Sequence, residues 1–331
     1  MSTSSRSLTI DCQSHVFPPP YAELLTKNQG WVRVEKTSGS FKIQYGNLQT
    51  FLLNLESYDP QKKIQDMDRG GIDLSIISVN IPGPEALDTD IALEAARLCN
   101  DAIGDICDQH KDRFRGLAVL PLQLSSDQYL AEYSRAIHSL HLSGVVLYSH
   151  IGGKPVDHPD LEPLYTQAER DGIPLVIHPT VPFWGEVVKD YSMIPMVGLM
   201  VDHSIAMLRL ILSGVLERHP NLLIVHPHCG GVIPYLMPRI EEQTEVKKRG
   251  RDHIRKPPGD YYKKVYLDLV SPSPLPMEYV LRFHPENRLL FGSDHPWVSI
   301  QLFKQMVETL PVEEQTKRRI LGENAKELFR L

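Results

Sequence analysis

Leu289-Leu290-Phe291-Gly292-Ser293-Asp294-His295-Pro296-Trp297 runs an apolar segment into a small pair, then a carboxylate, an imidazole and a proline. That order describes a buried parallel strand ending at a reaction centre. The apolar run suits a strand covered on both faces, Gly292 permits a turn or a close approach, and Pro296 cannot continue a ladder. A carboxylate at such a strand's carboxyl end sits where barrel enzymes keep their chemistry. Alone, the stretch reads equally well as an Asp-initiated turn before a helix starting near Ser299. The same pattern recurs earlier in the chain, ending each time in a histidine, and that recurrence favours the reaction centre.

Working outward, Leu8-Thr9-Ile10-Asp11-Cys12-Gln13-Ser14-His15 reads as the first strand. Further short apolar strands are expected at 74–79, 116–120, 144–147, 174–177, 222–225 and 265–269. The fifth ends at His178-Pro179, and the sixth runs into His226-Pro227-His228-Cys229-Gly230-Gly231. Helical periodicity fills the intervals at 60–70, 91–110, 125–140, 161–170, 203–218 and 235–246, and closes the chain at 299–310 and 312–330. The basic, proline-rich segment 247–259 reads as a loop. Strands alternating with helices in this way predict an α/β fold, a single (β/α)8 TIM-like barrel spanning residues 1–331. A doubly wound open sheet would want a glycine-rich phosphate turn after the first strand, and Gln13-Ser14-His15 is not one. Residues 21–57 form an insertion after strand one. Within it 31–34 and 41–45 alternate about Thr37-Ser38-Gly39-Ser40 as a hairpin, and an excursion of that length predicts a lid.

The 331 residues are 42% hydrophobic and 23% charged, enough for a substantial core. A formal net charge of -6 argues against a nucleic-acid partner. The polar stretch at residues 1–7 has no apolar signal core behind it. No run of about 18 apolar residues is present, so no membrane span is expected. Cys12, Cys99, Cys107 and Cys229 stand in no zinc or redox spacing, and reduced thiols in a cytoplasmic protein are the expectation.

Polar groups then sort by position. Gln13 and His15 end strand one, His178 ends strand five, His228 follows strand six and Asp294 ends strand eight. A barrel brings those ends to one mouth, and residues 13 and 15 share a side because strand side chains alternate. Imidazoles with one carboxylate suit one divalent ion, zinc first and manganese or iron as alternatives, with a position left open for catalysis. His110, His138, His141, His158, His203, His219, His253 and His284 fall on helices or loops and are expected at the surface. His150, His226 and His295 neighbour strand ends and stay open as substrate contacts. No lysine ends a middle strand to bridge two metals, so the site is read as mononuclear.

The chain resembles the amidohydrolase superfamily, in the branch holding 2-amino-3-carboxymuconate-6-semialdehyde decarboxylase and related metal-dependent aromatic acid decarboxylases. The resemblance rests on Ile10 through His15, Met67-Asp68-Arg69-Gly70-Gly71-Ile72-Asp73, Leu120-Pro121-Leu122-Gln123 and Val176-Ile177-His178-Pro179. It continues through His228-Cys229-Gly230-Gly231-Val232-Ile233-Pro234, Gly292-Ser293-Asp294-His295-Pro296 and Ile320-Leu321-Gly322-Glu323-Asn324-Ala325. It implies a distorted barrel and a single divalent metal with His15, His178 and Asp294 as ligands, and His228 as the group that activates water at the metal, with Asp294 sharing the proton chemistry. The branch carries His or an acidic residue where Gln13 stands. A carboxamide oxygen is a weaker, neutral donor, which implies looser binding, a harder ion than zinc, or none. The activity implied is decarboxylation of an aromatic or unsaturated carboxylic acid. Hydrolysis or hydration of a lactone, amide or C–C bond is the alternative, and a catalytically weakened partner subunit the second. The substrate is expected to be a small-molecule carboxylate. Phe183 and Trp184, in the loop after strand five, and His150 are expected to shape its pocket. Arg239 is expected to fork onto its carboxylate, reaching across a homodimer or a higher homo-oligomer as in the resembling enzymes.

Overall fold

A computed structural model describes residues 7–331. Residues 1–6, most of the polar N-terminus read above, lie outside the described residues. The strands are β1 (Ile10–Val16), β2 (Val32–Thr37), β3 (Ser40–Tyr45), β4 (Gln49–Leu53), β5 (Leu74–Val79), β6 (Phe114–Ala118) and β7 (Gly144–Tyr148). They continue as β8 (His150–Ile151), β9 (Lys154–Pro155), β10 (Leu175–His178), β11 (Ile224–His226), β12 (Tyr266–Asp268) and β13 (Leu289–Leu290). Eight of them form one sheet in the order β1-β5-β6-β7-β10-β11-β12-β13. Every pairing within it is parallel.

The sheet closes on itself where the stretch after β13 meets β1. Cys12 N donates to Phe291 O at 2.9 Å, Asp294 N to Gln13 O at 2.8 Å and His15 N to His295 O at 2.8 Å. The fold is thus the (β/α)8 barrel that the strand–helix alternation predicts. Strands such as β5 and β7 are buried at every position, as strands sandwiched between a barrel core and surrounding helices must be. β13 is only two residues long, and the C-terminal segment supports it: Asn324 Nδ2 donates to Leu289 O at 2.7 Å, and Phe291 N to Ile320 O at 2.8 Å.

Three local features depart from the sequence reading. β1 slips register between Asp11 and Ser14 relative to β5. The extra residue is a bulge, a device that re-aims side chains beside active sites. The insertion holds a third strand, β4, beyond the expected hairpin; its polar start, Gln49-Thr50, hid the alternation. The helix expected at 203–218 is Leu199–Leu212 followed by Val215–Arg218, broken at Gly214 with φ 78°.

Burial corrects the histidines. His203, His219 and His284 are buried, not at the surface. His203 lies on the inward face of its helix. His219 and His284 follow helix ends and are drawn in by hydrogen bonds, His219 to Glu169 and Glu162 and His284 Nε2 to the Val265 carbonyl at 2.8 Å. One helical run, Asp190–Leu212, is long and apolar enough to cross a bilayer by length and composition, although polar residues interrupt its apolar sequence. It is half buried against the barrel, and its Asp202 accepts a hydrogen bond from Trp184 Nε1 at 2.9 Å. The four cysteines are unpaired, and Cys12, Cys99 and Cys229 are buried.

Gly322 seats the C-terminal segment on the start of β1: a Cβ there would stand 1.9 Å from the Leu8 carbonyl oxygen. Gly322→Ala is expected to destabilise the fold by about 1–3 kcal/mol, the usual cost of overpacking, read as a lower denaturant midpoint. An unchanged midpoint would show that this contact yields freely.

Candidate active site

Barrel closure brings residues far apart in the chain to one mouth. His15 Nε2 lies 3.1 Å from Asp294 Oδ1, although 279 residues separate them. His178 Nε2 lies 3.4 Å from His15 Nε2, and His228 Nε2 lies 3.7 Å from Asp294 Oδ2. The backs of the rings are held too. His178 Nδ1 donates to Pro179 O at 2.7 Å, which leaves the lone pair on Nε2. His15 Nδ1 stands 3.1 Å from Ser78 Oγ.

The electrostatics follow from burial and from Asp294. Burial, then the neighbouring His15, pushes the His178 pKa down to about 3, so that ring stays neutral. Burial opposes ionisation of Asp294, yet hydrogen bonding to His15 and His228 wins and holds its carboxyl below the ordinary range. Burial also works against a charged His228, but Asp294 and then Asp268 overcome it, and its pKa is raised. Asp268 Oδ1 accepts from the His228 backbone N–H at 2.7 Å and from that of Val270 at 3.1 Å. Burial pushes the Asp268 carboxyl up to about 6.

The donor set suits a divalent ion. Two nitrogens held by one tetrahedral zinc at its usual bond length stand roughly 3.4 Å apart, which is the His15–His178 separation. Gln13 is buried, and neither its Oε1 nor its Nε2 has a hydrogen-bond partner, so its amide is free to serve as a donor. No three His, Cys, Asp or Glu side chains among the described residues already surround one point as a finished site. His15 and Asp294 bond to each other instead, and an ion would take the place of the proton between them.

The cluster opens onto a cavity of about 1080 Å³ whose walls include His178, His228, Asp294, Asn80, Phe51 and Trp297. Three of the residues expected from the sequence to shape it do not reach it: His150, Phe183 and Trp184 are absent from its lining. His150 Nε2 meets Val181 O at 3.0 Å, Phe183 stacks on Trp31 with centroids 4.0 Å apart, and Trp184 is tied to Asp202. Nor do His226 and His295 line it. His295 turns to Lys63 Nζ at 2.7 Å and to Asp66 Oδ2 at 3.1 Å, while His226 pairs with His203 at 2.8 Å. Arg239 is exposed on the helix Ile233–Glu241, outside the cavity of its own chain, and makes no hydrogen bond or ion pair among the described residues.

The sequence reading missed Asp268 and Lys63. Asp268 ends strand seven, so its position was a usable signal. Lys63 was not legible, because nothing in a helix sequence marks one lysine as fully buried; its Nζ donates to Ser14 Oγ at 2.8 Å.

Comparison with known proteins identifies the family of the chain. The model of the amidohydrolase family matches residues 10–331. The 2-amino-3-carboxymuconate-6-semialdehyde decarboxylase of Dictyostelium discoideum is 30% identical, over 98% of this chain and 92% of its own length. The apo crystal structure of the IDCase of Metarhizium anisopliae superposes with a TM-score of 0.87 at 26% identity, covering 100% of this chain and 99% of that one. The fold is also that of a dihydroxybenzoic acid decarboxylase from Polaromonas, solved with bound manganese and 2-nitroresorcinol. It superposes with a TM-score of 0.83 at 22% identity, covering 98% of each chain. From β1 to its last residue, the chain belongs to the amidohydrolase family.

Proposed function

We propose that this chain is a metal-dependent decarboxylase of an aromatic or unsaturated carboxylic acid and works as a homodimer. The observation that carries the reading is the meeting of His15, His178, Asp294 and His228 in one cluster, the last three of which line one wide cavity. The full-length relatedness to a named decarboxylase supports the choice of reaction.

His15, His178 and Asp294 would hold the ion, with Gln13 as a weak fourth donor. Nitrogen donors favour zinc, while a carboxamide oxygen in place of a charged ligand favours a harder ion such as the manganese of the Polaromonas enzyme. When bound, the ion would orient the substrate's oxygens and stabilise the negative charge that builds as CO₂ leaves. The chain's own residues do the rest. The bond from the carboxyl carbon to its neighbour breaks, its electron pair stays on the substrate, and a proton must reach that carbon. His228 is the group placed to deliver it from Nε2, with Asp294 alongside to steady the charge. Phe51 and Trp297 give the cavity apolar walls suited to a planar acid.

The cavity mouth is rimmed by exposed apolar side chains, with Tyr235 76%, Leu275 71% and Met196 66% accessible. Arg239 stands one helical turn beyond Tyr235, on the same face. A second copy seated on this rim would cover it and carry Arg239 toward the neighbouring cavity, where its guanidinium would fork onto the substrate carboxylate.

Three outcomes are expected. His228→Ala should retain stoichiometric metal by elemental analysis and lose about 10²–10⁴-fold in kcat for CO₂ release over a panel of aromatic and muconic acids, as loss of a general acid–base group does. Near-normal turnover would reduce His228 to a packing residue. Gln13→His should retain metal longer during dialysis against chelator; unchanged retention would exclude Gln13 as a ligand. Arg239→Ala mixed with Asp294→Asn under subunit exchange should recover part of the activity that each lacks alone, because one site per mixed dimer keeps both groups. A monomer by sedimentation, or no recovery, would remove the shared site.

A further inference from the structure

Behind His228 lies a second set of buried polar rings that the reaction as described does not use. Tyr262, His226 and His203 are all buried. The Tyr262 hydroxyl is 2.9 Å from His226 Nδ1, and His226 Nε2 is 2.8 Å from His203 Nδ1. The two ends of the series lean on the turn that presents His228. A Cβ on Gly230 would stand 2.1 Å from the Tyr262 hydroxyl, and one on Gly231 would stand 2.6 Å from His203 Cε1. That turn is itself unusual, since His228, Cys229, Gly230 and Gly231 all have positive φ.

We propose that Tyr262, His226 and His203 form a polarised hydrogen-bond relay that fixes the proton of neutral His228 on Nε2, the nitrogen facing Asp294. The polarity follows from counting protons. The Tyr262 hydroxyl has one proton and, among the described residues, one hydrogen-bond partner, so it donates to His226 Nδ1. A neutral imidazole carries a single N–H, so His226 carries it on Nε2 and donates to His203 Nδ1. By the same count His203 carries its proton on Nε2. That buried N–H has no acceptor in the protein, and His228 Nδ1 is likewise buried without a partner. The two rings lie 5.6 Å apart, tilted by 32°. Joined directly or through one water, which needs polar partners of this kind, the His203 N–H donates to His228 Nδ1. The His228 proton then belongs on Nε2. Burial supports the count: it holds His226 at about 3 and His203 well below the ordinary histidine range, so both stay neutral. The relay makes His203, His226 and Tyr262 positioning residues, and it presents His228 as a proton donor before any substrate arrives.

The consequence for turnover rests on the role given to His228 above; the tautomers do not. Zinc-loaded protein labelled with ¹⁵N-histidine is expected to show His203, His226 and neutral His228 as Nε2–H tautomers in long-range ¹H–¹⁵N spectra. Tyr262→Phe removes the donor that sets the polarity. It should give mixed tautomers and lower kcat about tenfold with KM unchanged, the scale of one lost hydrogen bond. His203→Gln, which keeps an N–H near Nε2, should retain more activity than His203→Phe. An Nδ1–H proton on His203 or His226 in the unsubstituted protein would overturn the relay, and that measurement stands even where a variant fails to fold. Unchanged tautomers in folded Tyr262→Phe would overturn it too, whereas unchanged kcat in folded Tyr262→Phe and His203→Phe would remove its consequence for turnover. Nε2–H tautomers in a protein that releases no CO₂ from any acid would keep the relay and remove the decarboxylase reading.

Discussion

The parallel seam between β1 and the stretch after β13 is the contact on which the rest depends. Two backbone hydrogen bonds, Asp294 N to Gln13 O and His15 N to His295 O, hold the two ends of the barrel at 2.8 Å. Every group proposed to hold the metal, except His178, lies on this seam. The seam is braced from outside by Lys63, which donates to Ser14 Oγ and pairs with His295. A lysine so fully buried is costly. Burial pushes its pKa down, and the carboxylates of Asp11, Asp66 and Asp294 work to keep it charged. Asp11 accepts from the Ser293 backbone N–H at 2.9 Å and from its hydroxyl at 2.7 Å. The two strands therefore share buried charge as well as backbone bonds, and the seam is stiffened where the site needs fixed donors.

Within that frame, the imidazoles are sorted by what each can reach. Desolvation lowers His178, His203 and His226 alike, because each is fully buried, and for His178 the opposing pull of Asp294 is too weak to offset it. His228 is as deep but has Asp294 beside it and Asp268 beneath its backbone, and its pKa alone among the four is raised. One chemistry, imidazole, thus supplies neutral donors and a protonatable group within a few ångströms. The difference lies in the placement of two carboxylates at the ends of strands seven and eight.

That arrangement was partly legible in the chain. The apolar runs ending in His178, His228 and Asp294 mark both strand and site, because a parallel strand's carboxyl end is where the barrel opens. What the sequence hid is of another kind. The bulge between Asp11 and Ser14 changes which way Gln13 points without changing residue identity. The burial of Lys63 and His203 depends on which face of a helix meets the barrel. Isolated polar residues in helices give no sign of it, since the surface is their ordinary place. Phe183, Trp184 and His150 mislead for the opposite reason: they follow barrel strand ends, the first two the strand that carries His178, and are large, yet their contacts go to the insertion and the barrel wall.

Those contacts explain how the cavity obtains its apolar wall. Phe183 stacks on Trp31 and sits edge-on to His150 with centroids 5.0 Å apart, and Trp31 packs edge-on to Tyr45 at 5.2 Å. Asn47 adds a hydrogen bond to Glu186 at 3.2 Å. The loop after β10 thereby anchors the three-stranded insertion over the barrel. Anchored there, β4 places Gln49 and Phe51 in the cavity lining, where Phe51 meets Trp297 edge-on at 6.4 Å. Phe51 comes from the insertion and Trp297 from the segment beyond Asp294. The apolar shape a substrate meets is therefore set jointly by the least barrel-like part of the chain and by the strand end that holds its carboxylate. Changes in the insertion would alter which acid fits while leaving the donors at the seam untouched.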